Sequence, residues 1–395
     1  MNIKVAKKSE KKFKERYPLI QKEDLIDVPS SFSDEWVDFV DSKGQYIATG
    51  YLGKQNKGIG WLVSWQGSVD TAFLESLFLE AKNHRTIFEQ DESTSAYRLF
   101  NGEGDGLGGL TIDRYDNFAV FSWYNETLYQ KKIKIVQAFR KIFPEIEGAY
   151  EKIRFSSKSL PESQKLFGSD APEPLLICEN GVNYASYLND GLMTGIFLDQ
   201  KEVRGRLVEG IAAGKTVLNM FSYTGAFSVA SAMGGAITTT SVDLAKRSLP
   251  KTKEQFEVNH IAVEDQKIVV MDVFDYFKYA IRKDLMYDVI VLDPPSFARN
   301  KKKVFSVAKN YGELVLDSID ILQDKGLLIC STNAANITLE KYKKMIIKAL
   351  DEKRVHYKFK ETYQLPSDFK INKHFEEGNY LKVFFIEIDK KSPMH

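Results

Sequence analysis

The stretch KTVLNMFSYTGAFS, residues 215–228, decides how the second half of the chain reads. An apolar run through Met220 ends in a polar turn bearing Gly225 and passes into AFSVASAM (226–233), which has helical character. A buried strand therefore feeds a helix through one short loop. Four more apolar runs follow: AITTTSVD (236–243), KIVVMDV (267–273), YDVIVLDPP (287–295) and GLLICST (326–332). Helical segments such as AKRSLPKTKEQFEVNHI (245–261) lie between them. Strands that are apolar on both sides, alternating with helices, predict a parallel sheet covered on both faces, a doubly wound, Rossmann-like α/β domain.

In such sheets ligands bind beyond the carboxyl ends of the strands, so the polar residues there are the ones to read. The first strand runs into Asn219, Phe221, Ser222, Tyr223, Thr224 and Gly225; the second, third and fourth end at Asp243, Asp272 and Asp293. A nicotinamide dinucleotide needs three glycines so that backbone amides can approach its pyrophosphate, and this turn has one. S-adenosylmethionine has no phosphate and carries a sulfonium charge. One close-approach glycine suffices for it, with an acid after the second strand for the ribose hydroxyls and another after the third for the adenine amine. Each acid also has a structural reading, Asp243 and Asp272 as a helix cap and a turn residue.

Working outward, 395 residues at roughly 150 per domain predict two or three domains. Hydrophobic residues at 43% and charged residues at 28% exclude a disordered or fibrous chain. Residues 17–70 carry short β-like runs broken at Lys-Gly turns, which suggests a small barrel or sandwich. FLESLFLEAKNHRTIFEQ (73–90) has helical spacing, and after it strands around LTIDRYDNFAVFSW and a helix ending before Pro144 suggest a small α+β domain. The glycines Gly102, Gly104, Gly106, Gly108 and Gly109 read as turn residues between strands, because a strand follows them and Glu103 and Asp105 would repel phosphate. FGSDAPEPLL (167–176) marks a linker or exposed loop. The expected division is 1–72, 73–182 and 183–395.

The net charge of +1 leaves any polyanion to local patches. One candidate is the N-terminal MNIKVAKKSEKKFKER, with seven Lys or Arg against two Glu. Two cysteines, Cys178 and Cys330, exclude a disulfide framework, and the five histidines lack metal-ligand spacing, so no metal is expected. No apolar run reaches the ~18 residues that span a bilayer, and the N-terminus lacks a signal-peptide core. A cytoplasmic protein with no membrane partner is expected.

The motifs at 219–228, 242–249 and 292–297 resemble those of class I S-adenosylmethionine-dependent ribosomal RNA methyltransferases. Tyr97-Arg-Leu, Ile112-Asp-Arg-Tyr and Thr194-Gly-Ile-Phe-Leu-Asp-Gln-Lys-Glu-Val-Arg204 are similar to the branch that makes 5-methylcytosine in large-subunit ribosomal RNA. The resemblance implies an N-terminal PUA-like RNA-binding module, a small β-barrel, then a central α+β domain and a C-terminal methyltransferase. It further implies that Phe221, Ser222, Thr224 and Gly225 line the methionine side of the cofactor, Asp243 the ribose and Asp272 the adenine. Asn219 and Tyr223 belong to the same loop, Gln200 and Arg204 close the site, and Asp293 faces the target base.

Methylation at carbon 5 of cytosine needs a thiolate that adds at carbon 6. Cytosine-5 methylation of large-subunit ribosomal RNA is the expected activity, with Asp293 and Cys330, the thiol near the site, as catalytic residues, although the family's Ser-Cys-Ser pattern aligns Thr332, not Cys330, with the catalytic cysteine. Without a thiol the chemistry becomes amine or ring-nitrogen methylation, for example at guanine N7; a further alternative is a catalytically inactive RNA-binding ribosome-assembly protein. Phe297, Arg299, Lys301, Lys302 and Lys303 follow Asp293 and are candidates for RNA contact, and Tyr223, Phe297 and Tyr311 for stacking on an extruded base. Large-subunit ribosomal RNA is the expected partner, and a homodimer is left open.

Overall fold

The structure is a computed structural model that describes residues 2–28, 35–55, 57–299 and 304–390. The chain forms two compact units.

The first unit comprises Met1–Ile177, Ser186–Thr194 and Ser367–Gly378. Its first sheet has five strands in the order Asn2–Lys4, Val37–Val40, Tyr46–Leu52, Gly60–Ser64 and Leu19–Ile20, closed over Phe13, Phe39, Ile47 and Leu62. Its second five-stranded sheet runs Ser163–Gly168, Gly148–Ile153, Phe118–Trp123, Leu110–Tyr115 and Ala96–Asn101. Helices Thr71–His84 and Lys132–Ile142 cover it, with Phe78 at ring distances of 5.2 Å from Phe100 and 5.5 Å from Phe139. Asp70 starts the first helix by accepting the Phe73 N–H at 2.8 Å. The glycine-rich turn owes its composition to packing. A Cβ at Gly108 would lie 2.3 Å from the Trp61 ring, and one at Gly109 2.3 Å from the Tyr51 hydroxyl.

The second unit comprises Cys178–Ala185, Gly195–Pro366 and Asn379–His395. Its seven-stranded sheet contains β1 (Thr216–Met220), β2 (Thr238–Asp243), β3 (Lys267–Val270), β4 (Tyr287–Leu292), β5 (Leu322–Thr332), β6 (His356–Tyr363) and β7 (Lys382–Asp389). Their spatial order is β3-β2-β1-β4-β5-β7-β6; β1 to β5 pair in parallel, and β7 is antiparallel to both of its neighbours. The order reverses at β1, which places the switch point beside the loop that follows it. Helices α1 (Ala226–Met233), α2 (Ser248–Glu257), α3 (Val273–Arg282), α4 (Val307–Ile321) and α5 (Leu339–Glu352) complete the doubly wound arrangement predicted from the strand pattern.

Side chains alternate across the sheet with the two-residue period of a strand. Leu218, Ile290, Leu292, Leu328 and Cys330 share one core with Tyr311 of α4 and Tyr342 of α5. Val217, Val289, Val291 and Ile329 share the other with Phe227 of α1 and Val383 of β7. This alternation decides which residues at the strand ends can reach the same ligand.

Candidate active site

The loop after β1 is held in a conformation that ordinary residues resist. Phe221 and Tyr223 have φ of 59° and 52°, and Gly225 has φ of 81°. A left-handed non-glycine residue costs about 1–3 kcal/mol and persists only where its surroundings enforce it. Here Ser222 donates its backbone N–H to the Val242 carbonyl at 3.0 Å, and Tyr223 donates its own to Asp243 Oδ2 at 2.9 Å. Gly225 donates back to the Ser222 carbonyl at 2.7 Å, closing the turn. A Cβ on Gly225 would stand 2.5 Å from Thr252 Cγ2 of α2, so both backbone conformation and space exclude a side chain.

Asp243 and Asp272 both take structural roles at the strand ends. Asp243 also accepts the Ala245 N–H at 2.8 Å, and Asp272 caps α3 by accepting the Phe274 N–H at 3.0 Å. These bonds fix carboxylates at the ends of β2 and β3, the two positions at which an adenosine would be held. Thr224 ties the loop to the preceding segment by donating its hydroxyl to the Gly195 carbonyl at 2.6 Å. Asn219 lies within the sheet, donating to Ser228 Oγ at 3.0 Å, and its Oδ1 is a buried acceptor without a donor.

At the end of β4, Asp293 meets Gln200 and Ser331. Gln200 Nε2 donates to Asp293 Oδ1 at 3.1 Å and to Ser331 Oγ at 2.7 Å. Burial pushes the Asp293 carboxyl up to about 6; the negative charge of Asp199 adds to this, and hydrogen bonds from Ser331 and Gln200 oppose it. With its amide N–H groups committed there, Gln200 turns Oε1 into the interior without a donor. That orphaned acceptor, next to Asp293, suits the ammonium of a methionine moiety. The residues present thus fit S-adenosylmethionine: a glycine turn without phosphate-binding geometry, two carboxylates for an adenosine and an acceptor for a cation.

Three expectations change. Cys330 lies on the opposite face of β5 from Ser331, fully buried among Leu292, Tyr311 and Tyr342, and burial pushes its thiol well above the usual range. A thiol there is neither ionised nor open to a base. Arg204 does not close over the cofactor loop. Its guanidinium, 2% exposed, pairs with Glu179 at 2.6 and 2.9 Å and donates to the Phe197 carbonyl at 2.7 Å, so it positions the segment leading to Gln200. Tyr311 is buried and donates to the Leu292 carbonyl at 3.3 Å, which removes it as a stacking surface.

Phe297 is 62% exposed at the start of strand Phe297–Arg299, which pairs with Val304–Ser306. Lys301, Lys302, Lys303 and the Arg299 side chain lie outside the described residues. Thr332, at the position of the family's cysteine, is buried, and its hydroxyl accepts the Ala334 N–H at 3.2 Å. The sequence reading passed over Ser331 and Glu179. Strand alternation pointed to Ser331, since it falls on the Ile329 face; nothing local marked Glu179 as the partner of Arg204.

Comparison with known proteins identifies the family. Residues 152–370 match the model of the S-adenosylmethionine-dependent methyltransferase family, and residues 3–65 match a PUA-like domain. The chain belongs to the S-adenosylmethionine-dependent methyltransferases, with a PUA-like domain at its N-terminus. It is 46% identical to YwbD of Bacillus subtilis (strain 168), provisionally named a ribosomal RNA large subunit methyltransferase, over 95% of this chain and 96% of that one. It is 30% identical to ribosomal RNA large subunit methyltransferase I of Yersinia pseudotuberculosis serotype O:1b (strain IP 31758), over 91% of each chain. Among solved structures it resembles SMU.776, provisionally assigned as a methyltransferase and complexed with SAH, with a TM-score of 0.92 and 49% identity over 98% of this chain and 100% of that one. The protein is an enzyme that uses S-adenosylmethionine. No helix among the described residues is long and apolar enough to cross a membrane.

Proposed function

We propose that the enzyme methylates a base of large-subunit ribosomal RNA in the cytoplasm, at a nitrogen rather than at carbon 5 of cytosine. The names carried by its relatives support the substrate. The observation that carries the choice of atom is the burial of Cys330 in the apolar core, on the face of β5 opposite Ser331, which meets Gln200 beside Asp293.

The cofactor supplies an electrophilic methyl group on a sulfonium. Phe221, Ser222, Tyr223, Thr224 and Gly225 form the turn that receives it, Asp243 and Asp272 take the ribose and adenine, and Gln200 offers Oε1 to the ammonium. Asp293 meets the target base. Carbon 5 of cytosine becomes nucleophilic only after a thiolate adds at carbon 6, and Asp293, Gln200 and Ser331 provide none. A guanine N7 lone pair lies in the ring plane and is nucleophilic as it stands. No proton has to leave, and the positive charge it gains is balanced by a carboxylate that is ionised above about pH 6. Positioning and charge then suffice.

The PUA-like segment 1–72, the central segment 73–182, and Phe297 with Arg299 and Lys301–Lys303 are the parts proposed to hold the RNA. A single chain carries every residue used here. The 5-methylcytosine reading rests on the family resemblance alone and needs Cys330 or another thiol to reach the base. Tritiated S-adenosylmethionine supplied with unmodified large-subunit and small-subunit RNA tests the substrate: label enters the former, and equal labelling of both contradicts the proposal.

A further inference from the structure

Of the chain's 26 phenylalanines, two stand exposed among the described residues, Phe197 at 41% and Phe297 at 62%. Both lie a few residues from the Asp293 cluster: Phe197 three before Gln200, Phe297 four after Asp293. Scattered exposed apolar residues need no explanation, but two large rings close in sequence to the two residues that meet at one half-buried carboxylate do.

Phe197 is also held firmly. Its carbonyl accepts from the buried Arg204 guanidinium at 2.7 Å, and two residues earlier the Gly195 carbonyl accepts the Thr224 hydroxyl at 2.6 Å. Its ring centroid stands 5.3 Å from that of Tyr223 at an interplanar angle of 49°, and Tyr223 itself is fixed by left-handed backbone and by its bond to Asp243. The backbone on both sides of an open ring is thus fixed by hydrogen bonds, beside a loop strained into position. Polar groups follow it closely along the chain, Asp199 and Gln200, and Gln200 in turn reaches Asp293 at 3.1 Å. An aliphatic protein partner would bury those groups without satisfying them, whereas a heteroaromatic base has a π-face for the ring and polar edges for its neighbours.

We propose that Phe197, backed by Tyr223, is a stacking subsite for a nucleobase of the RNA substrate at the mouth of the site. This rests on the RNA-methyltransferase reading above. Stacking on an aromatic side chain tolerates any base, so the subsite adds affinity and orientation while Asp293 faces the acceptor atom.

The test compares Phe197→Ala, Phe197→Leu and Phe197→Trp with the wild type in steady-state methylation of an unmodified large-subunit RNA transcript, together with the dissociation constant for S-adenosylmethionine and the melting temperature. Removing a stacked base contact raises the RNA KM roughly 10- to 100-fold. We expect that rise in the Ala and Leu variants, recovery in Trp, and unchanged cofactor affinity and melting temperature in all three. Leu keeps apolar bulk without a π-face, so a Leu variant that behaves like wild type overturns stacking. A loss of cofactor affinity matching the loss of transfer overturns it too, by assigning the ring to the cofactor. If the wild type transfers no methyl group to the transcript, the parent reading fails and this subsite with it.

Discussion

Cys330 and Ser331 are consecutive on β5 and face opposite sides of the sheet: Ser331 Oγ accepts from Gln200 at 2.7 Å beside Asp293, while Cys330 is buried in the apolar core with Tyr311. One residue of strand therefore separates the group that belongs to the site from the thiol that would have allowed carbon methylation. Turning Cys330 towards the base would require β5 to shift register against β4, where Leu292 pairs with Cys330, and would move every side chain of β5 to the other face.

A structural Cys330 predicts that Cys330→Ala keeps methyl transfer near the wild-type rate. Removing a buried group of about one methylene's size costs on the order of 1 kcal/mol, visible in a denaturation curve. Abolished transfer in a variant that is folded and binds the cofactor would restore the thiol to the mechanism.

The ionisation of Asp293 sets a pH dependence with a defined sign. Its carboxyl is raised from 3.8 to about 6 in the folded chain, so between those values the folded state holds a proton that the unfolded state has released. The contribution of Asp293 to stability is greatest below about pH 4, falls as pH rises through about 6, and is flat above. Asp293→Asn removes that slope and is expected to be more stable at pH 7 by on the order of 1–3 kcal/mol. Transfer should rise with pH through an apparent pKa near 6 in the wild type and drop roughly 100-fold or more in the Asn variant. A flat wild-type rate profile across this range would remove Asp293 from its role.

Arg204 and Glu179 form a buried ion pair at 2.6 Å. Arg204→Ala leaves the Glu179 carboxylate buried without its partner, which costs about 3–5 kcal/mol. The double variant Arg204→Met with Glu179→Leu should recover most of that stability. Because Arg204 also holds the Phe197 carbonyl, the recovered fold should still show weakened cofactor or RNA binding. Full activity in the double variant would make the pair purely structural.

Gly225→Ala meets both left-handed backbone and the Thr252 methyl. We expect at least a tenfold loss of cofactor affinity. Adding Thr252→Ser removes the methyl at 2.5 Å and should restore part of the loss, leaving the share due to φ, about 1 kcal/mol. No recovery in the pair would mean that conformation alone excludes the side chain.

The doubly wound sheet was legible in the sequence because strands buried on both faces read as continuous apolar runs, and the acids at the carboxyl ends of three of them were visible there too. The same property hid the fate of Cys330. Where both faces are buried, apolar character does not say which side of a strand meets the site; only the packing of Leu328 and Cys330 against α4 and α5 reveals it. Arg204 misled for a related reason. A lone arginine on a helix shows its charge but not its partner, and Glu179 lies 25 residues upstream. The single glycine of the turn after β1 was visible in the sequence and takes a left-handed position, while its contact with Thr252 depends on how α2 packs.

The central claim is that a nitrogen accepts the methyl group. Its most direct test is mass spectrometry of nucleosides from unmodified large-subunit RNA after incubation with isotopically labelled S-adenosylmethionine and either the wild type or Cys330→Ala. The expected result is one labelled N-methylated nucleoside, 7-methylguanosine first among them, in equal amounts from both proteins. Labelled 5-methylcytidine from the wild type that disappears in Cys330→Ala would contradict it.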